Sequence, residues 1–119
     1  MIKQGYKDLI VWQKSMQLVR LTYELCDNLP KEEQFVLIPQ MVRSAISVPS
    51  NIAEGWSRNR KLEFVRFLEI SYASSCELET QVLISKMRYS TFKENYTAIH
   101  NLNTEVQKML TRLIQNNKQ

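Results

Sequence analysis

Leu9, Trp12, Met16, Val19, Tyr23 and Cys26 follow one another at alternating steps of three and four. That spacing keeps side chains on one face of an α-helix and is incompatible with a strand, whose faces alternate at every residue. The same kind of pattern returns three more times along the chain, which has only 2 Gly and 3 Pro in 119 residues with which to interrupt it. Such a chain is restricted to long helices with short connections, and its length suits one domain over residues 1–119 with a single sizeable core.

In the first helix, Val11, Leu18 and Leu25 form a second apolar line about a third of a turn from the first, so the apolar face is wider than one core requires. After Pro30 and a polar turn at Lys31–Glu33, the second helix is expected to start near Ile38, with Pro39 in its first turn, where a missing N–H costs little, and to run to about Gly55. The third is expected over Lys61–Arg88, with Phe64, Val65, Leu68, Tyr72, Cys76, Val82, Leu83 and Met87 on one side. The fourth is expected over residues 93–116, carrying Tyr96, Ile99, Val106, Leu110 and Leu113, with Leu102 and Met109 alongside. Short connections make neighbours antiparallel, which gives an all-α, up-down-up-down four-helix bundle.

The stretch "SVPSNIAEGWSRNRK" at residues 47–61 joins the second helix to the third. At about 100° per residue, Met41, Ala45, Val48, Pro49, Ile52 and Trp56 fall on one half of the second helix, while Arg43, Ser44, Ser47, Ser50, Asn51 and Glu54 fall on the other. A proline inside a helix removes one backbone hydrogen bond and crowds the carbonyl four residues back, so a kinked second helix is expected at Pro49. Gly55 is the expected left-handed closing residue, and Ser57 or Asn59 the cap of the next helix. The serines at 44, 47 and 50 face a seam of Ser71, Ala73, Ser74 and Ser75 on the third helix, small enough for a close approach. Glu79 falls in the apolar arc of the third helix, where a carboxylate needs a partner, and Arg43 or a neighbouring Tyr hydroxyl is expected to supply it. Arg43, Asn51, Glu54 and Glu79 are thus the expected structural polar network.

Enzyme patterns are missing. Gly55-Trp56-Ser57 lacks the second glycine of a nucleophile elbow and does not follow a strand, and no glycine-rich phosphate loop exists. A di-iron bundle needs Glu-x-x-His pairs, yet the single histidine, His100, has Thr97 three residues before it. Cys26 and Cys76, 50 positions apart, have neither metal spacing nor the look of a disulfide framework, and both are expected to be reduced core residues. The reading is therefore no catalytic residue, no metal and no cofactor. With no long apolar run and no signal-peptide pattern, a cytoplasmic location without a membrane partner is expected.

Charge is uneven. The net charge is +4 and the pI about 9.2. In an up-down bundle, segments 1–8, 54–63 and 108–119 come to one end, which carries Lys3, Lys7, Arg58, Arg60, Lys61, Lys108, Arg112 and Lys118 against Asp8, Glu54 and Glu63. The other eight basic residues face nine acidic ones. Clustered positive charge is the footprint of a polyanion partner.

The segments "DLIVWQKSMQLVRLTYEL", "QMVRSAISVPSNIAEGWSR" and "EFVRFLEISYASSCELETQVLIS" resemble the four-helix-bundle family that includes proteins encoded in intervening sequences of bacterial 23S rRNA genes, often labelled ribosomal proteins, and the accessory variability determinant of diversity-generating retroelements. The resemblance covers residues 8–86. Val42 and Ser44 depart from it, standing where members commonly have Arg and Ala, and Pro39 replaces a small polar residue. It implies a homopentameric ring of bundles, and in the retroelement relatives a basic surface that engages nucleic acid and a reverse transcriptase.

Two functions follow as expectations. The first is a non-catalytic homo-oligomer that binds RNA or DNA through phosphates, with Arg58, Arg60, Lys61 and Arg66 making the contacts. The second is a protein-interaction scaffold whose partner reads the polar face around Arg43, Asn51 and Glu54.

Overall fold

A computed structural model describes residues 5–118, and the periodic segments are helices. Helix α1 spans Ile10–Asn28, α2 Leu37–Ser57, α3 Lys61–Arg88 and α4 Lys93–Lys118, with short 3-10 turns at Tyr6–Asp8 and Lys31–Glu33. No strand occurs among the described residues. The bounds of α3 are those expected, while α2 and α4 each run two residues further at their C-termini.

Local chemistry sets the ends. Leu29 is extended, at φ −75° and ψ 150°, because the ring of Pro30 disfavours a helical residue before it, and α1 stops there. Between α2 and α3 the chain reverses through Arg58, Asn59 and Arg60, and Asn59 holds a φ of 59°, the left-handed region that asparagine tolerates better than most residues. Gly55 was expected in that role, but it lies inside α2 with an ordinary helical φ. The expected caps at Ser57 and Asn59 also move. Ser57 is still helical and donates its hydroxyl back to the Glu54 carbonyl at 2.7 Å, so the residue before α3 is Arg60, with no side-chain cap. Pro49 is buried within α2, which stays helical on both sides of it.

Each helix packs against two neighbours, α1 and α3 both against α2 and α4. Contacts along adjacent helices run in opposite chain order. From α2 to α3 they are Ser47 with Ser74, Val48 with Ser71 and Gly55 with Phe67; from α3 to α4 they are Glu69 with Lys118, Ser75 with Asn103 and Ser85 with Tyr96. The result is an elongated four-helix body of 49 × 24 × 22 Å.

The core has two apolar clusters. One gathers Leu18, Leu25, Met41, Leu78 and Ile99; the other gathers Val11, Ile52, Phe64, Leu68, Val106 and Leu110. Between them in chain order, on three helices, stand the buried polar residues Ser15, Ser71, Ser75 and Asn103. Each makes a hydrogen bond: Ser15 Oγ donates to the Trp12 carbonyl at 2.7 Å, Ser71 Oγ to Val48 at 2.9 Å, Ser75 Oγ to Tyr72 at 2.6 Å and Asn103 Nδ2 to Ser75 at 3.0 Å, while the buried Asn103 Oδ1 has no partner among the described residues. At the end away from Asn59, Tyr89 donates to the carboxylate of buried Glu33 at 2.7 Å, and this bond pushes the Tyr89 hydroxyl above its ordinary pKa. Cys26 is buried, and desolvation followed by the charge of Asp27 pushes its thiol up to about 11; both cysteines are free.

Two helix faces differ from expectation. In α1 the line that enters the core is Val11, Leu18 and Leu25, whereas Met16 and Tyr23 are each 45 % exposed. In α3, Tyr72, Leu83 and Met87 face outward, and Ser71, Ser74, Ser75 and Ser85 are buried in their place. Ser71 and Ser74 are buried where α3 comes close to α2, against Val48 and Ser47, as the small-residue seam leads one to expect, whereas Ser75 and Ser85 are buried on the side of α4, at Asn103 and Tyr96.

Gly55 marks the tightest point of that seam. A Cβ there would stand 2.6 Å from the Cβ of Phe67 and 3.2 Å from Cδ1 of Phe64. Neither Cβ can rotate away. Alanine would gain about 1 kcal/mol of helix propensity but overpack the seam at a cost of about 1–3 kcal/mol. A Cβ–Cβ approach of 2.6 Å puts the cost in the upper part of that range, so Gly55→Ala should lower stability by a net of about 1–2 kcal/mol in urea denaturation. Gly5→Ala, with nothing within 4 Å of its added Cβ, should stay within about 0.5 kcal/mol of the parent. Equal stability of all three proteins would contradict the close approach.

Candidate nucleic-acid interface

The contact between Gly55 and Phe67 brings the last turn of α2, the reversal at Asn59 and the first turns of α3 together at one end of the body. The C-terminal turns of α4 join them, since Asn117 lines the same cavity as Gly55 and Arg60, and Lys118 lies 3.5 Å from Glu69. The N-terminal segment completes the end: Asp8 and Leu9 share a groove with Arg112 and Asn116. Of the cations expected there, Lys3 lies outside the described residues; Lys7, Arg58, Arg60, Lys61, Lys108, Arg112 and Lys118 are all exposed.

The four residues expected to contact nucleic acid divide into two pairs. Arg58 and Arg66 are neutralised within the chain. Arg58 donates through Nε to Glu54 Oε2 at 3.1 Å, Arg66 lies 3.7 Å from Glu63, and their guanidinium carbons stand 5.2 and 5.6 Å from the centre of the Phe67 ring. Arg60 and Lys61 form no ion pair among the described residues, and both are exposed at the mouth of a cavity of about 170 Å³. The wall of that cavity includes Trp56 and Phe64, whose rings meet edge to face with centroids 5.6 Å apart and planes at 81°. Exposed ion pairs such as those of Arg58 and Arg66 contribute little to stability, but they lower the local positive potential. Arg60 and Lys61 therefore carry the larger share of free charge.

The expected polar network does not form as one unit. Asn51 donates through Nδ2 to the carbonyl and Oγ of Ser47 at 2.8 and 2.9 Å, and Ser47 Oγ meets Ser74 Oγ at 2.7 Å. Glu54 is held by Arg58. Arg43 is exposed on the outer side of α2, and Glu79, half-buried, lines a separate cavity of about 220 Å³ between α3 and α4 with His100 and Asn103. The two come from adjacent levels of the bundle, but α3 is rotated so that Glu79 faces α4 and not α2. The expected Arg43–Glu79 ion pair is absent.

Sequence reasoning missed Phe67, the platform for two arginines, because it falls off the apolar arc of α3; its signal is the glycine that meets it. It also missed Asn103, which lies between Ile99 and Val106 at helical spacing and so belongs to the buried face.

These features describe a four-helix protein with cations gathered at one end. Among the described residues there is no group of His, Cys, Asp and Glu side chains able to hold a metal ion, and no helix long and apolar enough to cross a membrane. The profile of the 23S rRNA-intervening sequence protein family matches residues 7–112, and the chain belongs to that family. It is similar in structure to a protein of unknown function from the S23 ribosomal protein family of Bacteroides thetaiotaomicron, with a TM-score of 0.80 and 25 % sequence identity over 88 % of this chain and 98 % of that one. No curated protein matches the sequence.

Because Arg43 and Glu79 face different neighbours, Arg43→Ala and Glu79→Ala should change stability additively, within about 0.5 kcal/mol, in a double-mutant cycle. A larger coupling would show that they meet.

Proposed function

We propose that this protein is a non-catalytic homo-oligomer that binds RNA or DNA through phosphates at its basic end, with little dependence on sequence. The observation that carries the reading is the seven-to-three excess of basic over acidic residues among the described residues of the segments that meet there, against eight to nine elsewhere. Within that end, Arg60 and Lys61 have no ion-pair partner among the described residues; Arg60 ends the reversal and Lys61 opens α3, so the pair lies at a helix end and not along a helix face that could be laid in a groove. Membership of a family named for intervening sequences of 23S rRNA adds support for a nucleic-acid partner. The scaffold reading has less to stand on, since Asn51 and Glu54 are engaged within the chain and Arg43 alone of that polar face is not.

Oligomerisation is supported by the apolar surface. Met16, Tyr23 and Ile46 are between 41 and 45 % exposed on adjoining α1 and α2, where Trp12, Met16, Ile46 and Pro49 line a shared groove. Contiguous exposed apolar surface marks an interaction site, and repetition around a ring would let weak phosphate contacts act together. The fivefold ring is what the family resemblance implies. Light scattering at micromolar concentration should return several times the chain mass of 14.1 kDa, five times for that ring. A monomer would overturn this part of the reading.

Binding is tested by fluorescence anisotropy with unrelated RNA and DNA oligonucleotides over about 50–200 mM salt, where phosphate contacts fade. Affinity should be similar among sequences and fall steeply with salt. Arg60→Ala combined with Lys61→Ala should flatten the salt slope by about 1.4–1.8 per engaged protomer. Arg58→Ala combined with Arg66→Ala should flatten it less, because Glu54 and Glu63 already neutralise that pair. Absence of binding at the lowest salt, with the oligomer intact, would overturn the proposal.

A further inference from the structure

Asn103 is 2 % exposed, yet only half of its amide is engaged. Nδ2 donates to the Ser75 carbonyl at 3.0 Å, while Oδ1 is fully enclosed and has no partner among the described residues. Exchanging the two atoms would not satisfy it, because Oδ1 would then face a carbonyl, acceptor against acceptor. A buried acceptor without a donor is costly, so folded proteins seldom keep one without a water, ion or ligand beside it. Asn103 lines the cavity of about 220 Å³ between α3 and α4; Ser75, which takes the other branch of the amide, does not.

The rest of the lining is sorted by depth. Val82, Ile99 and Tyr96 are buried and form an apolar inner wall, to which Tyr96 adds only its ring, since its hydroxyl is shared between Ser85 and the Tyr89 carbonyl. Glu79 is half-buried and makes no hydrogen bond or ion pair among the described residues, so it is a second acceptor without a donor. Lys86 and His100 are exposed at the rim, and they too are unpaired there. Two open acceptors suit an ammonium group, whose three N–H donors can serve both. Lys86 would repel a bare amine and Glu79 a bare carboxylate, whereas a molecule that carries both charges meets each side chain with its opposite. The volume, below the ~300 Å³ and upward of a drug-sized site, limits that molecule to a few heavy atoms.

We propose that this cavity binds a free α-amino acid with an apolar side chain. The ammonium donates to Asn103 Oδ1 and the Glu79 carboxylate, the side chain lies against Val82, Ile99 and the Tyr96 ring, and the carboxylate meets Lys86 with His100 beside it. None of these residues belongs to the basic end, so the inference does not depend on nucleic-acid binding.

The test is titration calorimetry of the full chain with L-valine, L-leucine and L-methionine. At least one should bind with a Kd of about 1 mM or tighter. For the tightest, the amine that lacks the carboxylate and the acid that lacks the ammonium should each bind at least about 10-fold more weakly, the loss expected when a charged hydrogen-bonding group is removed. Glu79→Gln should weaken the amino acid by a similar factor. Lys86→Ala, at an exposed position, should weaken the amino acid but not the amine. His100 is the single histidine of the chain, so its imidazole proton resonances report the rim alone, and they should shift when the amino acid binds.

Absence of binding by all three amino acids at millimolar concentration would leave the cavity to water and overturn the proposal. An amine or acid analogue that binds as tightly as the amino acid would overturn it too, as would binding that leaves the His100 resonances unmoved. These wild-type comparisons decide the matter even if a variant fails to fold.

Discussion

The arrangement of this chain depends on how closely α2 and α3 approach. Gly55 allows the Phe67 Cβ into a position that no side chain at 55 would leave open, and the seam continues through Ser47 with Ser74 and Ser71 with the Val48 carbonyl. Each such hydrogen bond contributes on the order of 1 kcal/mol net, and leaving a buried hydroxyl unpaired would cost more than that. The seam therefore acts twice. It draws two backbones together and penalises any shift in register, because a slid helix would strand several buried hydroxyls at once.

That register has a direct consequence at the basic end. With Gly55 against Phe67, only three residues remain between α2 and α3, and the left-handed Asn59 makes the reversal possible. The phenyl ring of Phe67, whose Cβ meets Gly55, lies beneath the guanidinium groups of Arg58 and Arg66, which are also paired to Glu54 and Glu63. One packing contact thus sorts the cations into a neutralised pair over an aromatic platform and an unpaired pair, Arg60 and Lys61, beside Trp56.

Most of the fold was legible in the sequence because the signals involved are local. A three-and-four spacing of apolar residues, few breakers and a proline after Leu29 define helices to within two residues at the ends of α2, α3 and α4. Rotation of each helix was not legible. In α1, two apolar lines compete for the core, and the winner, Val11–Leu18–Leu25, is decided by what α2 and α4 present to it. In α3, the small residues Ser71, Ser74 and Ser75 were legible as a seam for close approach and are buried, but Ala73 of the same stretch is exposed, and the outward turn of Tyr72, Leu83 and Met87 was not legible. The expected Arg43–Glu79 pair failed for the same reason, since an angle on each helix says nothing about which neighbour it faces. At the basic end the cations were legible as charge, but their sorting depends on Phe67, a contact between residues that no sequence window brings together.

Native-state amide hydrogen exchange tests the central place of the seam most directly, since it resolves which part of the molecule opens last. If the α2–α3 seam organises the fold, the amides of residues 44–55 and 67–78 exchange slowest of all, and only through global unfolding, while the outer turns of α1 and α4 open locally. Slowest exchange in α1 and α4, with the seam amides opening at lower free energy than global unfolding, would contradict the account.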